Sequence, residues 1–322
     1  MTAPVDFGGT RLAPDAEVVD LVNVSPADLE PLRLLPRLRE LRLRTTNPHR
    51  TPGGLPWDLE PLTAATALEV LIVPGRAVLD LGPLRNATRL REIDVSATRI
   101  HDLAPLQHAG ELRVLRLRAT RVRTLEPIRE LTGLRVLDIA HTPITDLEPI
   151  TALTELRELY LAGCAVTDLK PLAGLTGLAE LSVDRLPITS LTGLAALPWF
   201  AAARRLDLGG TALESAAGIE NATAAQELFL HDTGIRDLTP LAALRGLRVL
   251  RLDNTPVENV GPLASLAGLR ELSLAGTRVT DLSALRSSPE LEEVDLEDTA
   301  VDAAHISALR EARPAIRILG RS

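Results

Sequence analysis

Residues 134–155 read LRVLDIAHTPITDLEPITALTE, and residues 156–177 continue as LRELYLAGCAVTDLKPLAGLTG. Apolar residues recur at the same places in both lines. So do Asp146 with Asp168 and Pro149 with Pro171. The residues between them change freely. A chain that returns to the same apolar pattern every 22 residues is a stack of structural repeats, and its 322-residue length then says nothing about domain count.

Aligned on the first residue of L-x-x-L-x-L, units begin at Leu38, Leu68, Leu90, Leu112, Leu134, Leu156, Leu178, Ala203, Ala225, Leu247, Leu269 and Leu291. Two longer steps hold inserts near residues 47–55 and 195–203. A degenerate unit precedes Leu38 (Val19, Leu21, then Leu29 to Leu32). We therefore divide the chain into an N-terminal cap with a degenerate repeat (1–37), the regular repeats (38–301), and a C-terminal capping helix with a final strand (302–322). Within a unit, Leu137 and Ile139 alternate around Asp138, the period of a short strand with one buried face. Leu147, Pro149 and Ile150 suit a short 3₁₀ turn, because 22 residues leave little room for a full helix. Residues 302–313, DAAHISALREAR, read as an amphipathic helix with Asp302 as N-cap and Pro314 as the stop.

Composition narrows the function classes. The net charge of −8 argues against a general nucleic-acid or anionic-membrane binder. Aromatics are only 2%, so the core is aliphatic. The single cysteine, Cys164, excludes an internal disulfide and fits a reducing compartment. The N-terminus lacks the pattern of a secretory signal, and no apolar run is long enough to span a membrane. We expect a cytoplasmic repeat rod acting as a monomer, of bacterial type given its Arg, Ala and Leu excess.

The unit L-x-x-L-x-L-x-x-T-x-I-x-D-L-x-P-L resembles the 22-residue leucine-rich repeat of the SDS22-like and internalin-like class, over residues 16 to 318. The resemblance implies an α/β fold, a right-handed leucine-rich-repeat solenoid. It would carry a curved parallel β-sheet on the concave face and short 3₁₀ or irregular turns on the convex face. One departure is plain. The family usually has Asn at the ninth position, whereas this chain has Thr98, Thr120, Thr142, Thr211, Thr233, Thr255, Thr277 and Thr299. A hydroxyl makes one turn bond but not the full amide set, so we expect a ladder of hydroxyl bonds. Cys164 stands in the same column, either as a small buried substitute for Thr or as a reactive thiol.

The residues between the strand leucines point away from the core and are free for recognition. Tyr160 and Phe229, two of the six aromatics, fall in the fifth column as candidate anchors. Phe229, His231, Asp232, Arg251, Asp253 and Asn254 cluster on adjacent strands, as a partner pocket or as a solvated charged face. Arg42, Arg44, Arg116 and Arg118 gather toward one end, and Glu271, Glu293, Asp295, Glu297 and Asp298 toward the other; such polarity would orient a partner. Trp57 follows the first insert, while Trp199 and Phe200 lie in the second, as loop contacts or as plugs where the repeat breaks. A second-position row of Arg39, Arg91, Arg113, Arg135, Arg157, Arg204, Arg248 and Arg270 reads as a rim neutralised by Glu40, Glu92, Glu158 and Glu271. A phosphate or RNA track is its sharper alternative, though no aromatics interleave for base stacking.

Nothing in the sequence argues for catalysis. No H-E-x-x-H, clustered cysteines, phosphate-binding glycine loop or G-x-S-x-G is present. His141 and His231 are four strands apart, about 19 Å, too far to share a metal. His231 lies beside Asp253 on the neighbouring strand, with no Ser or Cys nucleophile placed to complete a relay. The reading is a non-catalytic scaffold for a protein or peptide partner, with no cofactor and no metal. A regulatory or targeting subunit of a separately encoded enzyme is the alternative from a different class.

Overall fold

The computed structural model describes residues 4–7, 9–22, 29–44, 57–75 and 78–320; the insert expected near residues 47–55 lies outside them. The chain forms two compact units, residues 1–160 with 164–175, and residues 161–163 with 176–322. Both have the same build. In the first, parallel strands follow one another in chain order: Val18–Val22, Glu40–Arg44, Val70–Ile72, Glu92–Asp94, Val114–Arg116, Val136–Asp138 and Glu158–Tyr160. In the second they are Glu180–Ser182, Arg205–Asp207, Glu227–Phe229, Val249–Arg251, Glu271–Ser273, Glu293–Asp295 and Arg317–Leu319. Register is set by the repeat: Leu115 pairs with Leu137, and Leu228 with Leu250. The fold is a leucine-rich-repeat solenoid; coils return through short 3₁₀ turns such as Glu148–Ile150 or Gly261–Ser265, and the longer unit also has one α-helical turn, Thr192–Ala195.

One coil shows why. Leu134, Leu137, Ile139, Ile144, Leu147, Ile150 and Leu153 are all buried. Burial of each aliphatic side chain contributes roughly 1.5–3 kcal/mol, and a coil this thin has no interior of its own, so that burial needs the next coil. The recurrent aspartate has a separate task. Oδ1 of Asp146 accepts the Glu148 N–H at 2.9 Å, and Asp102, Asp168 and Asp237 do the same two residues on. Each satisfies a free donor where a 3₁₀ turn begins, and proline at the next position has no N–H to leave unpaired.

The threonine column closes the other corner. Every one of the eight hydroxyls donates to the carbonyl three residues before it, at 2.6–2.8 Å. Cys164 keeps the column but reaches the preceding coil: its Sγ donates to the Ile139 carbonyl at 3.0 Å. The residue before each threonine adopts a left-handed backbone, for which Gly210, Asn254 and Gly276 in that column are the sequence signal. Ala97, Ala119, His141, Asp232, Asn254 and Asp298 have φ between 55° and 58°. That conformation aims the N–H at the next coil, as in Ala119 N–H to Ala140 O and Asn254 N–H to Ala275 O, both 2.8 Å.

Each end of the chain is covered. An antiparallel hairpin, Val5–Phe7 with Thr10–Leu12, buries Val5 and Phe7 and sits against the first 3₁₀ turn, Glu30–Leu34. At the other end the helix Ala303–Ala312 buries Ile306 and Leu309, and the Asp302 carboxylate accepts the His305 N–H at 2.9 Å. That bond holds the Asp302 carboxyl below its usual range. No helix among the described residues is long and apolar enough to cross a membrane.

Two substitutions test the corner. Thr255→Val removes a buried hydroxyl bond and should destabilise by about 1 kcal/mol. Ala119→Gly relieves a left-handed alanine and should stabilise by about 0.5–1 kcal/mol, the strain removed exceeding the entropy that glycine adds to the unfolded chain. Urea midpoints of the two variants should therefore move in opposite directions.

Candidate functional site

Strand alternation puts the third, fifth and seventh residues of each unit on one solvent-facing surface. The sequence reading used the fifth and seventh columns and missed the third. The third-position glutamates do not neutralise the second-position arginines. They turn to the strand face: Glu92 pairs with Arg116 at 2.6 Å, Glu158 accepts the Tyr160 hydroxyl at 3.0 Å, and Glu40 pairs with Arg42. Arginines of the rim find other acids. Glu69, itself in the second column, lies between Arg39 and Arg91, and its bond from Arg39 holds its carboxyl below the usual range. Arg157 lies near Glu155, and Arg270 near Glu290 and Glu292.

The fifth-column aspartates are less free than their exposure between leucines implied. Oδ1 of Asp94, Asp138, Asp207 and Asp295 each accepts the N–H two residues on, at 2.9–3.2 Å. They hold the chain as it leaves the strand. In the arginine cluster, Arg44 is tied to Asp20 at 2.7 Å and Arg116 to Glu92, so much of its charge is already compensated; Arg118 is exposed. In the second unit Glu293 is paired with Arg317 at 2.9 Å, and Arg251, Glu271, Ser273, Asp295 and Leu319 line a shallow hollow of about 120 Å³.

Phe229 and Tyr160 both lie half-buried on the strand face. The Arg205 guanidinium carbon sits 4.6 Å from the Phe229 ring centroid, and an ion pair with Glu227 steadies that arginine. Arg251, directly across from Phe229 in the register, is exposed. Asp232 accepts from the Asn254 amide at 2.9 Å, and Asp253 accepts the Ser273 hydroxyl.

The structure decides between the two readings of the insert aromatics and moves His231 from its expected neighbour. Trp199 and Phe200 are not loop contacts: they are 1% and 0% exposed and meet edge to face, with centroids 5.9 Å apart. They fill the space where the longer unit departs from the repeat, because their aromatic volume replaces the missing leucines. Trp57 is buried likewise. His231 does not face Asp253. The neighbouring seventh position is Gly209, and the imidazole lies over it, so that a Cβ there would collide with the ring. His231 Nε2 thereby comes within 3.5 Å of Asp184 Oδ1. Asp184, Asp207 and His231 form one group whose donor atoms all lie within 4.8 Å of one another. Three histidine and aspartate letters at the fifth and seventh positions of consecutive units were visible in the sequence; the gap left by Gly209 was the signal overlooked.

Cys164 is the buried substitute rather than the reactive thiol. It is 7% exposed, and burial pushes its thiol pKa up, which keeps it protonated and unreactive.

No protein-family model and no curated relative matches the chain. Solved structures do. An internalin (InlF) from Listeria monocytogenes superposes with a TM-score of 0.80 at 21% identity, covering 98% of this chain and 90% of its own. A leucine-rich-repeat protein of Leptospira interrogans gives 0.72 at 17% identity, covering 93% and 82%. The ectodomain of the Arabidopsis thaliana membrane receptor kinase GASSHO1/SCHENGEN3, in complex with Casparian strip integrity factor 2, gives 0.70 at 17% identity, covering 94% of this chain and 38% of that one. At these identities the likeness is one of fold.

Asp138 offers a test of the strand face itself. Burial pushes its carboxyl pKa up, against the opposing effect of the Ala140 N–H and Arg118. A raised carboxyl pKa means the folded chain holds the proton more tightly than the unfolded chain does. That stability is present at low pH and is lost as pH rises through the folded value. Asp138→Asn keeps the acceptor for Ala140 and removes the charge. The variant should be more stable than the wild type at pH 7, and the difference should close as pH falls below about 4. Urea unfolding at a series of pH values measures it.

Proposed function

We propose that this chain is a non-catalytic scaffold that binds a protein or peptide on its strand face. The observation that carries this reading is the setting of Phe229. The ring is half-exposed on a surface whose backbone is fixed by fully buried leucines on either side, Leu228 and Leu230. Arg205 stacks on it, Glu227 holds Arg205, and Arg251 lies across from it. Aromatic and arginine side chains dominate binding energy at protein interfaces, and a face already held in place loses little freedom on binding. Tyr160, held by Glu158, offers a comparable anchor in the first unit. Asp232, Asp253, Arg116 and Arg118 would supply polar contacts around these anchors. The plant receptor ectodomain that shares the fold is itself seen in complex with Casparian strip integrity factor 2, which supports the reading by analogy of architecture.

The second-position arginines favour a protein over a phosphate backbone. Four of the eight, Arg39, Arg91, Arg157 and Arg270, have glutamates at 3.8 Å or less, so a polyanion would have to displace carboxylates at those positions.

The test is capture from native-host lysate on immobilised wild-type chain and on a Tyr160→Ala/Phe229→Ala/Arg251→Ala variant. Truncation of a binding hot spot costs about 2 kcal/mol or more, so the wild type should hold a stoichiometric protein that the variant releases. Equal retention by both would place binding away from these residues.

A further inference from the structure

Three consecutive strands of the second unit bring together a set of donors that the scaffold reading does not use. Asp184 leaves the strand Glu180–Ser182, Asp207 ends the strand Arg205–Asp207, and His231 lies two residues beyond Phe229. Their donor atoms lie within 4.8 Å of one another, and all three residues are half-buried. Oδ1 of Asp184 is shielded from solvent and has no hydrogen-bond partner; His231 Nε2, at 3.5 Å, makes none with it. A buried carboxylate oxygen without a partner is costly, and it points into this group.

The surroundings are built for these ligands. Asp207 is oriented through both oxygens, accepting the Gly209 N–H at 3.2 Å and the Ser182 hydroxyl at 3.0 Å. Such outer partners fix a ligating carboxylate in place. Gly209 serves the histidine: only a residue without a Cβ lets the imidazole lie across its strand toward Asp184. The geometry points to a site for a divalent transition-metal ion held by Asp184, Asp207 and His231.

One imidazole and two carboxylates suit zinc and its first-row neighbours, whereas calcium and magnesium take all-oxygen sets. Donors bound to zinc at about 2.0–2.1 Å lie roughly 3.3 Å apart in a tetrahedron, close to the 3.5 Å between His231 and Asp184. A donor oxygen of Asp207 lies within 4.8 Å of both. Three protein ligands on an open face leave a fourth position for water or for a donor from outside the chain.

The test uses the purified full chain and Zn²⁺ alone, by titration calorimetry, with circular dichroism as the check on folding. The wild type should bind one Zn²⁺. Asp184→Asn and His231→Ala each remove a ligand and should weaken binding at least as much as loss of an outer partner does, about 10–100-fold. Gly209→Ala keeps all three ligands but displaces the imidazole, and should weaken binding to a similar degree. His141→Ala, away from the site, should leave affinity unchanged. No binding by the wild type, or binding that survives Asp184→Asn and His231→Ala, would overturn the assignment and leave an ion-pair cluster in its place.

Discussion

No coil of this protein has room for an interior of its own, so Leu137, Ile139, Ile144 and Ile150 stay dry only when the next coil lies against them. That dependence dictates the rest. It forces the strands into parallel register, leucine beside leucine, and it fixes the length of the return path to a 3₁₀ turn. It also demands covers at the two ends of the chain, which the N-terminal hairpin and the helix Ala303–Ala312 provide. The corner bonds serve the same stacking: threonine hydroxyls close each turn, and left-handed residues aim their N–H groups at the next coil.

Because stacking occupies one side of every strand, the other side is left for chemistry. There the side chains pair with one another across and along strands. Arg116 is held by Glu92, Tyr160 by Glu158, and Arg205 by both Glu227 and the Phe229 ring. Exposed ion pairs of this kind contribute little to stability. Their effect is positional, since each holds a long side chain in one place. The same frame that orders these groups also brings Asp184, Asp207 and His231 to one point, with Gly209 as the opening between them.

The period of 22 residues made the fold legible, because the core columns and the turn aspartates and prolines recur from unit to unit. The strand face was legible as columns and not as contacts. His231 was paired with Asp253 on adjacency alone; its true direction depends on the missing side chain of Gly209, a three-strand effect that no pairwise rule contains. The third-column glutamates were assigned to the wrong arginines because sequence neighbours at positions two and three face opposite ways. Trp199 and Phe200 were ambiguous for a different reason: an insert breaks the period, and burial inside a break follows from volume, which periodicity does not report. The left-handed corner was legible from Gly163, Gly210, Asn254 and Gly276 in its column, although Ala97, Ala119 and His141 carry no such signal in theirs.

Stability belongs to the stacked columns, and we propose that the strand face is left for recognition. Urea unfolding of Leu250→Ala beside Phe229→Ala/Arg251→Ala measures it directly. Leu250 is fully buried, and its truncation should cost about 2–5 kcal/mol. The double face variant should remain within about 1 kcal/mol of the wild type. A face variant that unfolds as readily as Leu250→Ala would contradict the separation on which this account rests.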